Sequence, residues 1–178
     1  MNERQHSLLE GLLERINPAY HQLFKDLSEY AISLGYTPVR NKTKDYSLDF
    51  KNNKLKKTIM KLEEKEQKHE GIGYGERNIP GLRLKFFASS EYSGIFKKGI
   101  QIVIENFDGK YTGCYGCGRC QEKLQGYRFV YPGKNEVFRC GSELVSIYEF
   151  SDQDRLEIMK LMGEQAEYFT SFFNKSEE

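Results

Sequence analysis

All four cysteines of this chain belong to one pattern: Cys114-Tyr-Gly-Cys117-Gly-Arg-Cys120, followed after nineteen residues by Cys140. C-x2-C-x2-C-x19-C offers four soft thiolate ligands, the donor set of a tetrahedral zinc site with every position closed and hence a structural role. Turns at Gly113, Gly116 and Gly118 can aim successive sulfurs at one centre. A hairpin that leaves at Gly126-Tyr127 and returns through Phe138 would bring Cys140 back beside the cluster, so the long gap is short in space. Iron-sulfur chemistry uses the same ligands. The ferredoxin run has its next cysteine three residues on with a proline behind it, whereas Cys120 is followed by Gln121-Glu-Lys-Leu and Cys140 by Gly141. Free thiols without a metal remain a third reading, and disulfides a fourth that needs an oxidising compartment. Arg119 could offset the negative charge of a four-thiolate zinc centre.

Other chemistry is poorly represented. His6, His21 and His69 lie far from the cluster and read as exposed or capping residues. No nucleophile elbow, H-E-x-x-H or Walker sequence is present, and Gly71-Ile-Gly-Tyr-Gly75 matches neither the phosphate-cradling loop nor the dinucleotide turn. The reading leans away from an enzyme and toward a binding or regulatory module.

Length and composition suit one soluble domain over 1–178: 38% hydrophobic residues, 30% charged, 12 Phe, 12 Tyr and a net charge of +1. A balanced charge gives no global reason to expect nucleic acid or an anionic membrane. Locally the balance breaks. Arg40 to Lys61 carries eight bases against Asp45 and Asp49, and 143–178 carries nine acids against three bases. The basic hairpin 40–61 could track a phosphate backbone with Tyr46 stacking on a base, which makes a nucleic-acid-associated protein the alternative function. Its plainer reading is that lysines guard an edge strand and aid solubility. The two patches could also meet within the fold or across a homodimer. Tyr36, Tyr46, Tyr74, Tyr92 and Phe87 are the aromatics expected near a cleft for a small-molecule ligand. The N-terminus lacks a basic and apolar leader and no window is apolar enough to span a bilayer, which points to a cytoplasmic protein with no membrane partner.

The elements that must position these residues follow from periodicity and turn chemistry. Leu8, Leu9, Leu12, Leu13 and Ile16 predict one helix. Asn17-Pro18 caps a second whose stripe runs from Tyr20 to Leu34 and stops at Gly35, giving a helical N-terminal part over 5–35. Tyr46, Leu48 and Phe50 alternate as a strand, Lys51 to Lys54 turns, and a return strand over 55–62 places Leu55, Lys57 and Ile59 on one face. Residues 63–80 read as a long exposed connection. Leu82, Leu84 and Phe86 form a third strand, and Ser89 or Ser90 caps a helix to Asn106, with a strand over 100–104 as the local competitor. A hairpin pairs 127–131 with 136–139 within a cysteine-cluster hairpin over 111–142. A short strand over 144–147 follows, and Ser151 with Asp154 starts a helix over 151–173. The irregular alternation predicts an α+β fold: an antiparallel sheet of hairpins packed against long amphipathic helices, with a zinc-knuckle-like hairpin extending the sheet or beside it.

The run Gly113 to Cys120, the Tyr127-Arg-Phe-Val-Tyr131 hairpin, Phe138-Arg-Cys140-Gly and the closing helix with Glu167-Tyr-Phe169 together resemble a set of uncharacterised cytoplasmic proteins of low-GC Gram-positive bacteria. The resemblance covers the second half best. It implies a small α+β protein with this cysteine cluster and a bacterial cytoplasmic origin, and carries over no activity.

Overall fold

The computed structural model describes residues 1–65, 79–106, 120, 125–133 and 136–174. Helix α1 spans Glu3–Leu13 and begins earlier than its apolar stripe, because Asn2 and Gln5 close a reciprocal capping box. Asn17 caps a single 3-10 turn at Pro18–Tyr20 through Ala19 N–H, and α2 continues over His21–Ser33. Gly35 then takes φ +86°, the left-handed residue expected after a helix.

The sheet strands are β1 (Thr37–Arg40), β2 (Ser47–Asn52), β3 (Lys57–Glu63), β4 (Gly81–Leu84) and β7 (Val145–Ile147), in spatial order β1-β2-β3-β4-β7 and antiparallel throughout. Between β4 and β7 come helix α3 (Gly94–Asn106) and a separate hairpin of β5 (Gly126–Val130) and β6 (Glu136–Cys140). Helix α4 closes the chain over Arg155–Asn174, and Ser151 and Asp154 form the expected capping box ahead of it. The fold is therefore α+β, with the cysteine-bearing hairpin beside the main sheet and not extending it.

Register sorts the sheet residues onto two faces. Phe50, Met60, Leu84 and Val145 form one cross-strand row, and Leu48, Leu62, Leu82 and Ile147 form another. All eight are buried in a single cluster with Leu9, Leu12, Phe24, Leu27, Phe96, Ile100, Ile158 and Leu161 from the four helices. The row between them, Asp49, Lys61, Arg83 and Ser146, points the other way. A fully buried aliphatic or aromatic side chain contributes about 1.5–3 kcal/mol, against about 0–1 kcal/mol for a surface ion pair, so the apolar rows decide which face the helices cover.

Several expectations are corrected. β1 takes the sheet edge, so β2 and β3 are interior and their lysines do not guard an edge. The return strand begins at Lys57, and an irregularity opposite Phe50/Lys51 puts Ile59 out of step. Leu55, Lys57 and Ile59 consequently do not share a face: Leu55 lies in the turn, and Ile59, Met60 and Leu62 are the buried residues. Neither Ser89 nor Ser90 caps α3, which begins at Gly94. Ser89 instead turns the chain through Glu91 N–H. The strand competitor over 100–104 gives way to helix, since Ile100 and Val103 face the core at helical spacing. Residues 66–78, with Gly71 to Gly75, Tyr74 and His69, lie outside the described residues.

Candidate functional site

The β5–β6 hairpin is seated by one tyrosine. Tyr127 is 2% exposed, its ring meets Phe86 at 5.0 Å and Phe87 at 6.0 Å, and its hydroxyl accepts the Phe86 N–H at 3.3 Å. Burial pushes this hydroxyl's pKa well above the ordinary tyrosine value, against the lowering effect of the Phe86 N–H. The same hairpin approaches the sheet at Gly141, where a Cβ would come within 2.5 Å of the Phe87 ring, so only glycine allows the contact.

That seating places two of the four cysteines. Gly126 pairs with Cys140 in the β5–β6 register, and Gly141 N–H donates to the Gln125 carbonyl at 2.9 Å. Gln125 N–H in turn donates to Cys120 Sγ at 3.3 Å, the type of backbone contact that stabilises a thiolate. Cys140 is buried and Cys120 half-buried, both are free thiols, and both line one cleft. Tyr168 of α4 lies near Cys120, its hydroxyl pKa raised first by burial and then by the Cys120 charge. Cys114 and Cys117, with Gly113, Gly116, Gly118 and Arg119, lie outside the described residues. Among the described residues no group of three or more His, Cys, Asp or Glu is placed to hold a metal, as two cysteines alone cannot form one. His6 sits 4.0 Å from Glu10 on the exposed face of α1, and His21 Nε2 lies 3.4 Å from the Ile16 carbonyl.

The cleft, about 740 Å³, is walled by the polar face of the sheet, the β2–β3 turn, the segment from Cys140 to Leu144, and Phe169 of α4. Glu63 organises the sheet wall. It accepts two hydrogen bonds from Arg83, at 2.6 and 3.0 Å, and pairs with Lys61 at 3.1 Å. Lys85 follows β4 onto the same wall; although charged it is 8% exposed, and its Nζ donates to the Ser142 carbonyl at 2.9 Å. Arg139, 1% exposed, pairs with Glu143 at 2.6 Å. Lys57 sits 5.3 Å over the Phe169 ring and Lys54 5.2 Å over Phe173, so the basic turn meets α4 through aromatic faces.

This geometry redistributes the residues singled out by the sequence. Of the aromatics expected at a cleft, Phe87 lines it. Tyr36 is fully buried, Tyr92 packs edge-on against Phe86, and Tyr74 is outside the described residues. Tyr46 is 7% exposed, donates its hydroxyl to the Leu8 carbonyl at 3.0 Å, and has Arg15 and Arg40 over its ring at 4.8 and 4.4 Å. It has no face open for a nucleobase. Lys51 pairs with Asp49 at 3.0 Å, so the run 40–61 is not one continuous basic stripe. Lys85, Arg83 and Phe169 were missed as cleft residues. The signal available was the charged pair Arg83 and Lys85, on the face away from the core in β4 and just beyond it, alternating with Leu82, Leu84 and Phe86.

No helix among the described residues is long and apolar enough to cross a membrane. No protein-family model, curated protein or solved structure matches this chain.

Proposed function

We propose that this chain is a cytoplasmic binding module whose β5–β6 hairpin is locked by a structural zinc ion on Cys114, Cys117, Cys120 and Cys140. The observation that carries this reading is the base of the hairpin. The Gly126–Cys140 pairing and the Gln125 contacts put Cys120 and Cys140 on one cleft wall although nineteen residues separate them. The donor set fits zinc: one buried and one half-buried thiol, the latter already receiving a backbone N–H, with the remaining two ligands only three and six residues before Cys120. Bound there, zinc would hold the chain before β5 to the end of β6 and so fix the cleft's second wall. A reducing compartment keeps the thiolates available. An iron-sulfur cluster would use the same four sulfurs and make the protein a redox or sensor module, and colour separates the two.

The deciding experiment is elemental analysis and a visible spectrum on protein purified without oxygen, followed by chelation. One zinc per chain, no visible absorption, and a melting temperature that falls by several degrees when zinc is stripped are the expected results. Cys140→Ser should lose the zinc and melt like stripped wild type. Iron and sulfide with a brown colour would overturn zinc in favour of the cluster. Equal stability of stripped and zinc-loaded wild type would remove the structural role.

A further inference from the structure

We infer that the cleft between the polar sheet face and the 140–144 segment binds a small organic anion, a phosphate or carboxylate carried on an apolar, planar body. The inference rests on the binding-module half of the proposed function and not on its metal.

Charge comes first. Five cations reach the wall, Lys56, Lys57, Lys61, Arg83 and Lys85, against two carboxylates, Asp49 and Glu143, and two cysteines, Cys120 and Cys140, whose thiolate charge a bound zinc ion would partly neutralise. Both carboxylates have their own basic partners away from the wall: Lys51 at 3.0 Å for Asp49, and Arg139 at 2.6 Å for Glu143. Lys61 and Arg83 share the single carboxylate of Glu63, which leaves positive charge in excess among them. A cleft whose walls carry a net positive charge concentrates ions of the opposite sign.

Position matters as much as sign. Lys85 is not a surface lysine: it is over nine-tenths buried and its ammonium is fixed by the Ser142 carbonyl, so its charge is organised before any ligand arrives. The Glu63 fork holds the Arg83 guanidinium in the same way, leaving its orientation set.

The rest of the wall gives the body of the ligand. Phe87 and Phe169 meet edge to face with centroids 5.9 Å apart, and Leu55 and Leu144 also line the space. The volume falls within the range of about 300–1,000 Å³ that holds a small organic molecule. A polyanion fits less well. Tyr46, the aromatic best placed by sequence to stack on a base, is covered on its ring and bonded at its hydroxyl.

The test is a fluorescence titration of zinc-replete protein with anilinonaphthalene sulfonate, an anion on a planar apolar body. The same titration is run on Lys85→Met and on the double variant Lys56→Gln/Lys57→Gln, with folding verified by near-ultraviolet circular dichroism. Wild type should bind the probe at one saturable site. Lys85→Met should weaken binding about tenfold or more, as for loss of a buried charged donor, and the double variant, at exposed Lys56 and half-buried Lys57, about two- to fivefold. Should Lys85→Met fail to fold, the double variant decides alone. Displacement by an aryl phosphate or by an aryl carboxylate supports the inference and tells which anion is preferred. Unchanged probe affinity in the folded variants overturns it. So does displacement by a single-stranded oligonucleotide at low salt with none by either small anion. Zinc is measured on the wild-type samples: no saturable probe binding with one zinc per chain counts against the cleft alone, and probe binding in wild type isolated without zinc counts against the metal alone.

Discussion

Two tyrosine hydroxyls, both removed from water, should respond in opposite directions to the same deletion. In Tyr127→Phe the ring keeps its packing on Phe86 and Phe87, and one oxygen is lost. That oxygen accepts the N–H of Phe86, a residue with no exposed surface, so the deletion strands a buried donor. An unsatisfied buried group costs about 1–3 kcal/mol, and the 3.3 Å contact places this one at the lower end, about 1–2 kcal/mol. For a chain of this size that is a fall in melting temperature of about 2–8 °C. Tyr36 is also fully buried, but its hydroxyl has no hydrogen-bond partner among the described residues. Tyr36→Phe removes a desolvated group and leaves no partner stranded, so it should leave stability unchanged or raise the melting temperature by up to about 4 °C. The assay is paired thermal and urea unfolding of the two variants and wild type. Amide exchange should also show the loss in Tyr127→Phe concentrated in β5 and β6. Destabilisation of similar size in both variants would refute the reasoning, because it would mean that loss of the hydroxyl, and not its bonding, sets the cost.

Alkaline pH gives a second measure of Tyr36, whose burial pushes its hydroxyl up to about 12. Between the unfolded value near 10 and that figure the folded chain holds a proton that the unfolded chain has lost, so stability should fall by about 3 kcal/mol as pH rises through this window. Urea unfolding at stepped pH should show that fall on top of those of the other raised hydroxyls, Tyr127 and Tyr168 among them, and Tyr36→Phe should remove only its own share; an equal slope in the variant would exclude Tyr36 as a source. At the cleft, Glu63→Gln leaves Arg83 and Lys61 without their shared carboxylate. It should lower stability by about 1–3 kcal/mol and tighten binding of an anionic probe about two- to fivefold at low salt. Weaker probe binding in the folded variant would contradict the charge argument.

Local chemistry is short in range, and that is what the chain displays openly. Asn17-Pro18, Gly35, and Ser151 with Asp154 act on backbone groups within a few residues of themselves, so helix ends are legible from neighbours alone. Alternation marks β2, β4 and β5, and the β5–β6 pairing that returns Cys140 toward Cys120 follows from two such runs around one turn. The α+β class follows from the order of these elements. Thr37–Arg40 is different. With one buried residue, Pro38, it carries no two-residue period, and it is a strand because β2 offers it an unpaired edge.

The tertiary structure alone decided the surroundings of the candidate site. Tyr46 alternates like a half-open strand residue, yet Leu8 and Arg15 come from thirty or more residues upstream to close over it. Lys85 looks like a solvated lysine until Ser142, fifty-seven residues on, accepts its ammonium. Phe169 looks like one more apolar position of a helix until Lys57 rests on its face. The sequence by itself therefore determined which residues could ligate a metal, where helices begin and end, and the class of fold, because each depends on spacing or on near neighbours. Which sheet face is polar, which lysine is buried, and that a basic cleft lies beside Cys120 and Cys140 depend on contacts between distant segments. Those contacts exist only once the apolar rows of the sheet have chosen the side on which the helices pack.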